Sequence, residues 1–374
     1  MSSLDALNRV IDDVVAPNAT EIDRTGAFPR ANVDALAEAG ILGLCSSGEV
    51  GGGGEGLRAG AAVVAGLAQA CGSTAMVVLM HYSAAAAIEA LGPEDVRRAI
   101  GAGEHLTTLA FSEVGSRSHF WAPLSTATPN GDDITLDAAK SWVTAAGEAD
   151  SYVWSSRPVA GDGPMTLWLV PSDTAGVSVA GDFDGLGLRG NGSRPVRGEG
   201  AVIPTANRLG DDGAGLDLSL SIILPWFLIG SAAFSVGLMR AVTAETTAHL
   251  TATQLEHLGQ SLAQQPGPRL DLAQMQITTD SADALVGDCL NAVEHGREDA
   301  TLRVLEVKAA AGEASIDVTD LAMKVCGGAA FRRELGVERR FRDARAARVM
   351  APTTDALRDF IGRALTGLPL LGEV

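Results

Sequence analysis

The chain has 374 residues, with 28 basic against 46 acidic side chains and a formal net charge of −18. That length calls for two or three packed units, and an apolar content of 46% is enough to fill their cores without a charge-rich disordered tail. The negative field repels phosphate backbones and anionic membrane surfaces, so nucleic acid and lipid headgroups are excluded as partners, although a local basic pocket for an anionic ligand is compatible with it. Cys45, Cys71, Cys289 and Cys326 are widely scattered, with no CxxC pair, and six histidines form neither an HxxxH nor an HExxH pattern. Reduced thiols, no metal site and a cytoplasmic location are therefore expected. The opening MSSLDALNRV lacks the basic-then-apolar order of a signal peptide.

In chain order, residues 1–105 read as helices. Leu4, Leu7, Ile11 and Val14 fall on one face, as do Val63, Val64, Leu67 and Cys71, and Gly51 to Gly54 mark a loop between helices. From Leu106 the texture changes to short β-branched and aromatic runs: Tyr152-Val153-Trp154, Thr166 to Val170, and Val177-Ser178-Val179. Gly, Asp and Pro separate them, which predicts an antiparallel β domain over 106–215. Helical periodicity then returns over 216–374. Leu218 to Met239 carries no charge and is long enough to span a bilayer. Ser219, Ser221, Pro225, Gly230, Ser231 and Ser235 dilute it, and with no second such segment evident we read it as a helix buried on all sides, not a membrane span. Gln254 to Pro268 is polar and proline-broken, and reads as a loop or interrupted helix. Leu357, Phe360, Ile361, Ala364 and Leu365 outline the last helix, capped by Thr353 or Thr354. The expected class is α+β: helical domain, β domain, helical bundle.

Three stretches carry a family likeness. Leu109-Ala-Phe-Ser-Glu-Val-Gly-Ser-Arg-Ser118 is similar to A-L-T-E-P-x-A-G-S-D, and Lys140-Ser-Trp-Val-Thr-Ala-Ala-Gly-Glu-Ala-Asp150 to K-x-W-I-T-N-G-x-x-A-D. The run from Gly327-Gly328 through Val337-Glu-Arg-Arg-Phe-Arg-Asp-Ala-Arg345 is close to G-G-x-G-Y-x-x-E-x-P-V-E-R-x-x-R-D-A-R. Leu186-Gly-Leu-Arg189 followed by Val202-Ile-Pro204 adds weaker support. In order and at family spacing, these segments make the chain resemble the acyl-CoA dehydrogenase superfamily over nearly its whole length. The resemblance implies FAD as cofactor. It places the Ser112 hydroxyl on the pyrimidine side of the flavin, Trp142 over the isoalloxazine, Thr144 near the reactive nitrogen and Ser118 at the pyrophosphate. Gly327 and Gly328 come near the adenosine end, and Thr353 keeps the threonine of the family's Tyr-Glu-Gly-Thr run. A planar apolar cofactor needs such an aromatic wall with a few fixed donors. Outside the motifs, a Trp and two hydroxyls in a β domain are ordinary packing, and a Gly pair is a helix C-cap followed by a turn. Arg339, Arg342, Asp343 and Arg345 read as a structural charge network.

The departures bear on function. Dehydrogenases of this family remove the proton alpha to a thioester with a glutamate, because that proton is weakly acidic. The Tyr-Glu-Gly-Thr run that usually carries it is here Met350-Ala351-Pro352-Thr353; the other known position, on the first long helix of the C-terminal domain, corresponds to Pro225-Trp226-Phe227-Leu228. Neither contains an acid, so no catalytic residue is assigned. The R-x-x-F-G segment that holds the far end of FAD corresponds to Leu255-Glu256-His257-Leu258-Gly259, and the glutamine before the Gly pair is Lys324, which could supply a cation for phosphate. The expectation is FAD held weakly or supplied reduced. His81 sits where the family lines its acyl pocket and is able to titrate near neutrality, but a structural role is the preferred reading; His119 is given no role.

Three functions fit. The first is an oxygen-using, monooxygenase-type flavin enzyme fed by a reductase or electron-transfer partner, acting on a small organic or thioester-linked substrate. The second is an acyl-CoA or acyl-carrier-protein dehydrogenase with a displaced or partner-supplied base. The third is a non-catalytic subunit of a heteromer. The resemblance also implies a homodimer or homotetramer. Retention of Trp142 and Thr144 alongside loss of the base favours the first.

Overall fold

In the computed structural model, which describes residues 2–116 and 119–371, the first helix begins at a capping box. The Ser2 hydroxyl accepts the Asp5 N–H while the Asp5 carboxylate accepts that of Ser2. Helix α1 (Ser3–Val10) runs through a π-helical turn (Ile11–Val15) into α2 (Ala16–Thr25). A π turn adds a residue per loop of backbone, and it advances the buried face by one position. Val15 is fully buried where the periodicity predicts Val14, and Leu4 is exposed although Leu7 is not. Helices α3 (Arg30–Glu38), α4 (Leu57–Ala70), α5 (Gly72–Leu91) and α6 (Glu94–Gly101) follow, and the Gly51–Gly54 loop lies between α3 and α4 as expected. Val63, Val64, Leu67 and Cys71 are all buried.

The strands are β1 (Thr107–Ala110), β2 (Thr126–Asn130), β3 (Asp133–Val143), β4 (Ser151–Ser156), β5 (Thr166–Pro171), β6 (Val177–Val179), β7 (Arg194–Pro204) and β8 (Arg208–Leu209). They form two four-stranded sheets, ordered β1-β4-β5-β8 and β2-β3-β7-β6. Pairing is antiparallel except for β1 with β4, which is parallel. Strands β4 and β5 are buried along almost their whole length, so neither shows alternation: β5 carries the apolar run Leu167 to Val170, and β4 buries Ser151, Ser155 and Ser156 beside Tyr152, Val153 and Trp154.

Beyond Gly215 the chain is mainly helical: α7 (Gly215–Leu218), a π turn (Ser219–Ile223), α8 (Leu224–Ala252), α9 (Pro266–Glu294), α10 (Ala300–Cys326), α11 (Val337–Ala344), α12 (Ala346–Val349) and α13 (Thr354–Thr366). Thr353 caps α13, accepting the Ala356 N–H at 3.3 Å. The expected loop at 254–268 instead contains a two-stranded hairpin, β9 (Gln254–Leu255) with β10 (Gln260–Ser261), turned at Gly259 with φ 60°; α9 then starts at Pro266, where a missing N–H costs nothing.

By contacts the chain divides into two compact units. The first comprises Met1–Val63, Ser73–Gly185 and Arg189–Phe227; the second comprises Val64–Gly72, Leu186–Leu188 and Leu228–Val374. Within the second, a Cβ on Gly237 would lie 2.3 Å from the Ala65 carbonyl, so only glycine lets these backbones meet. Among the described residues, two helical stretches are long and apolar enough to cross a membrane, Gly215–Ala252 and Gly72–Leu91. The second escaped the sequence reading, and both are mostly buried inside the protein, as core helices are. None of the four cysteines is in a disulfide; Cys71, Cys289 and Cys326 are buried and Cys45 is half-buried.

Candidate functional site

Strand β3 departs from regular pairing with β7 between Lys140 and Val143: Lys140 pairs with Val196 and Val143 with Arg194, leaving one extra residue on β3. Such a bulge re-aims a side chain. Trp142 sits in it with φ 57°, and its indole is 69% exposed, touching the edge of Phe183 at 6.4 Å between ring centroids. A non-glycine residue at positive φ is strained, and a free-standing indole forgoes apolar burial. Ser112, just past β1, lies beside it, its carbonyl accepting the Ser141 N–H at 2.8 Å. Thr144 is buried, with its hydroxyl 3.2 Å from that of Ser193. The Ala145 and Ala146 N–H groups bond to the carbonyls of Asn191 and Gly192, which fixes this turn. The first unit thus brings Ser112, Trp142 and Thr144 together. Ser118 lies outside the described residues.

An unassigned pair underlies this surface. Lys140 is fully buried, and its Nζ donates to Glu113 Oε1 at 2.6 Å, to the Ser155 carbonyl at 2.6 Å and to the Ser155 hydroxyl at 3.1 Å. Glu113 also accepts from the Ser125 hydroxyl at 2.5 Å, the Ser125 N–H at 3.1 Å and the Leu124 N–H. Burial opposes both charges. It pulls the Lys140 ammonium down to about 8, whereas the Lys140 charge and the hydrogen bonds outweigh it at Glu113 and hold that carboxyl below its usual value. Glu113 follows Ser112 directly and Lys140 precedes Trp142 by two residues, so the pair anchors both. Its signal in the sequence was a lysine at an inward position of β3, in register with Leu136 and Ile134.

The other proposed cofactor residues belong to the second unit. Lys324, expected as a cation for phosphate, is exposed and pairs with Asp271 at 2.9 Å. Gly327 ends α10 with φ 56° and ψ −135°, and Gly328 follows in a 3₁₀ turn; a Cβ on either would meet nothing within 4 Å. Arg342 binds Glu338 at 2.6 Å, Asp343 Oδ1 accepts the Leu188 N–H at 2.6 Å, and the Arg345 guanidinium stacks 3.8 Å from the Phe341 ring centroid. These contacts are structural, as the sequence suggested. Ala351 is half-buried, and Phe227, in the first unit, is buried. Among the described residues no cluster of metal-ligating side chains occurs.

His81 is fully buried. Its Nδ1 accepts the Thr107 N–H at 3.2 Å and its Nε2 lies 3.2 Å from the Leu42 carbonyl, which requires the neutral Nε2–H tautomer. The neighbouring Tyr82 hydroxyl donates to the Ile41 carbonyl. Both residues staple α5 to residues 41–42, and His81 is enclosed there away from any substrate. Burial pulls His81 down to about 4, so the folded protein resists a proton that the unfolded chain accepts below about 6.5. Between those values the unfolded state binds more protons, and stability falls as pH drops. The loss of stability from pH 7 to pH 4.5, measured by urea unfolding, should be smaller in His81→Gln than in the wild type by ~2–3 kcal/mol; equal losses would show that His81 does not titrate this way.

A cavity of about 210 Å³ lies in the first unit, walled mainly by Leu42, Cys45, Tyr82, Ala86, Ile222 and Trp226, with Glu89 as its carboxylate. Glu89 accepts from Arg97 at 2.8 Å and from the Ser47 N–H at 3.3 Å.

Three domain models of acyl-CoA dehydrogenase match the chain in order: the N-terminal domain over residues 3–101, the middle domain over 108–201 and the C-terminal domain over 213–366. The chain belongs to the acyl-CoA dehydrogenase family. It is 27% identical over 363 residues to a probable acyl-CoA dehydrogenase, YngJ, of Bacillus subtilis (strain 168), covering 94% of this chain and 93% of that protein. In structure it resembles butyryl-CoA dehydrogenase from Megasphaera elsdenii, with a TM-score of 0.90 at 23% identity over 97% and 98% of the two chains. It also resembles the prolyl acyl carrier protein oxidase AnaB, with a TM-score of 0.88 at 20% identity over 97% and 98%. Acyl-CoA dehydrogenase family members are flavin-dependent oxidoreductases that bind FAD and act on thioesters. The strained, exposed Trp142 beside the buried Thr144–Ser193 hydroxyl pair fits such a planar group: the ring would cover an indole that the protein itself leaves bare.

Proposed function

We propose that this family member uses its flavin with oxygen, in a monooxygenase-type reaction on a small organic or thioester-linked substrate, and not for α,β-dehydrogenation. The observation that carries the reading is the alanine at 351 with phenylalanine at 227, where the resemblance puts a dehydrogenase's carboxylate. Bound FAD would supply the redox chemistry. Trp142 covers its ring, Ser112 and Thr144 orient it, and the Lys140–Glu113 pair keeps these contacts in register. Lys324, Gly327, Gly328 and Thr353 are proposed cofactor contacts on the strength of their motifs alone, as is Ser118. Because Asp271 already neutralises Lys324, weak binding at the phosphates is part of the proposal, with reducing equivalents delivered by a reductase or electron-transfer partner and a homodimer or homotetramer as the working assembly.

Loss of a positioned general base costs roughly 10²–10⁴ in rate. Oxidised protein mixed anaerobically with a panel of short acyl-CoA thioesters should therefore bleach its flavin slowly or not at all in a stopped-flow record. Rapid bleaching by any of them overturns the oxygen-using reading. A second reading, a dehydrogenase with a displaced base, is favoured by one observation: Glu89 lines the cavity on which Trp226 also borders. It would require bleaching that Glu89→Gln abolishes.

A further inference from the structure

Lys308, on α10, is 2% exposed, and no carboxylate is among its bonded partners. Its Nζ donates to three backbone carbonyls: Ala347 at 3.2 Å, Met350 at 3.0 Å and Pro352 at 2.9 Å. An ammonium has three protons, and this site uses all of them. The Ala347 carbonyl belongs to the last turn of α12, where helix carbonyls lack intrahelical partners and favour a cation. The Met350 and Pro352 carbonyls flank Ala351 on either side, and Thr353 begins the cap of α13. Burying an ammonium is costly without a counter-charge, and burial pulls this one down to about 7. A methionine would fill the same space without that penalty. What the ammonium adds is directional: it fixes the backbone on both sides of one residue.

We infer that Lys308 is a positioning residue that holds the 350–353 segment, including the proposed cofactor contact Thr353, in one conformation. Its link to the cofactor rests on the reading of the protein as an FAD enzyme; its grip on the segment does not. Lys308→Met keeps volume and removes the donors. Lys308→Ala, with and without added propylammonium, tests whether a free cation restores them. Amide hydrogen exchange over residues 346–357, with FAD affinity and the visible spectrum of the bound flavin, provides the readouts. In Lys308→Met, exchange in this segment should quicken roughly tenfold to a hundredfold, the scale of lost charged hydrogen bonds, while amides in β3 to β5 keep wild-type rates. The Kd for FAD should rise by about tenfold and the flavin spectrum should shift. Propylammonium should slow the segment again in Lys308→Ala. Wild-type exchange in Lys308→Met, or equal acceleration along the whole chain, overturns the inference. If the wild type binds no FAD, the function proposal fails while the exchange comparison still decides the role of Lys308.

Discussion

Lys140→Met should destabilise the protein by about 3–5 kcal/mol in urea unfolding, the range for breaking one partner of a buried ion pair. The cost arises at Glu113, which keeps its serine and amide donors but loses the only full positive charge it is bonded to in this network. The Ser155 carbonyl loses its ammonium donor and keeps only the Ser125 hydroxyl at 2.8 Å, and Trp154 loses the cation 5.2 Å from its ring centroid. Adding Glu113→Gln to Lys140→Met should recover much of the loss, because no unpaired charge then stays inside. A Lys140→Met variant within 1 kcal/mol (roughly the median surface pair) of the wild type would mean that the network is solvated in solution and does not anchor Ser112 and Trp142.

Trp142→Ala should behave in the opposite way, with little effect on folding and a large one on the cofactor. The indole is mostly in water, so removing it forfeits little burial, and alanine keeps the same positive φ. Covering the flavin ring is worth on the order of 1–3 kcal/mol for a desolvated aromatic contact. Titration with FAD, followed by flavin fluorescence, should therefore show a Kd raised by about fivefold to 150-fold. An unchanged Kd would make Trp142 a surface residue whose strain has another origin.

The two variants separate what the sequence could and could not disclose. Trp142, Thr144 and Ser112 were legible because motif residues only a few positions apart carry them, and local spacing survives folding. The strands were legible for the same reason: Tyr152 to Trp154 and Thr166 to Val170 are β-rich runs, and both became central strands. What needed coordinates was anything set by a shift of register or by distant pairing. The π turn at Ile11–Val15 moved the buried face from Val14 to Val15, which no count of apolar spacing anticipates. The hairpin at 254–261 is too short and polar to give a period. Lys324 looked like a free cation until Asp271, far away in sequence, was found beside it. Lys308 looked like any lysine on a helix, because its partners are backbone carbonyls and carry no residue identity.

The unbridged cysteines give the fold an internal clock. Burial pushes the thiols of Cys45 and Cys289 up to about 12, so at neutral pH only ~1 in 10⁵ is present as the reactive thiolate. Alkylating reagents therefore react slowly with the native molecule, and a label at the buried Cys289 marks a moment when that part of the chain was open. Cys45 borders the cavity in the first unit and Cys289 lies inside α9 of the second. The natural sequence thus carries its own reporter on the breathing of the second unit, and a second thiol that senses access to the cavity of the first.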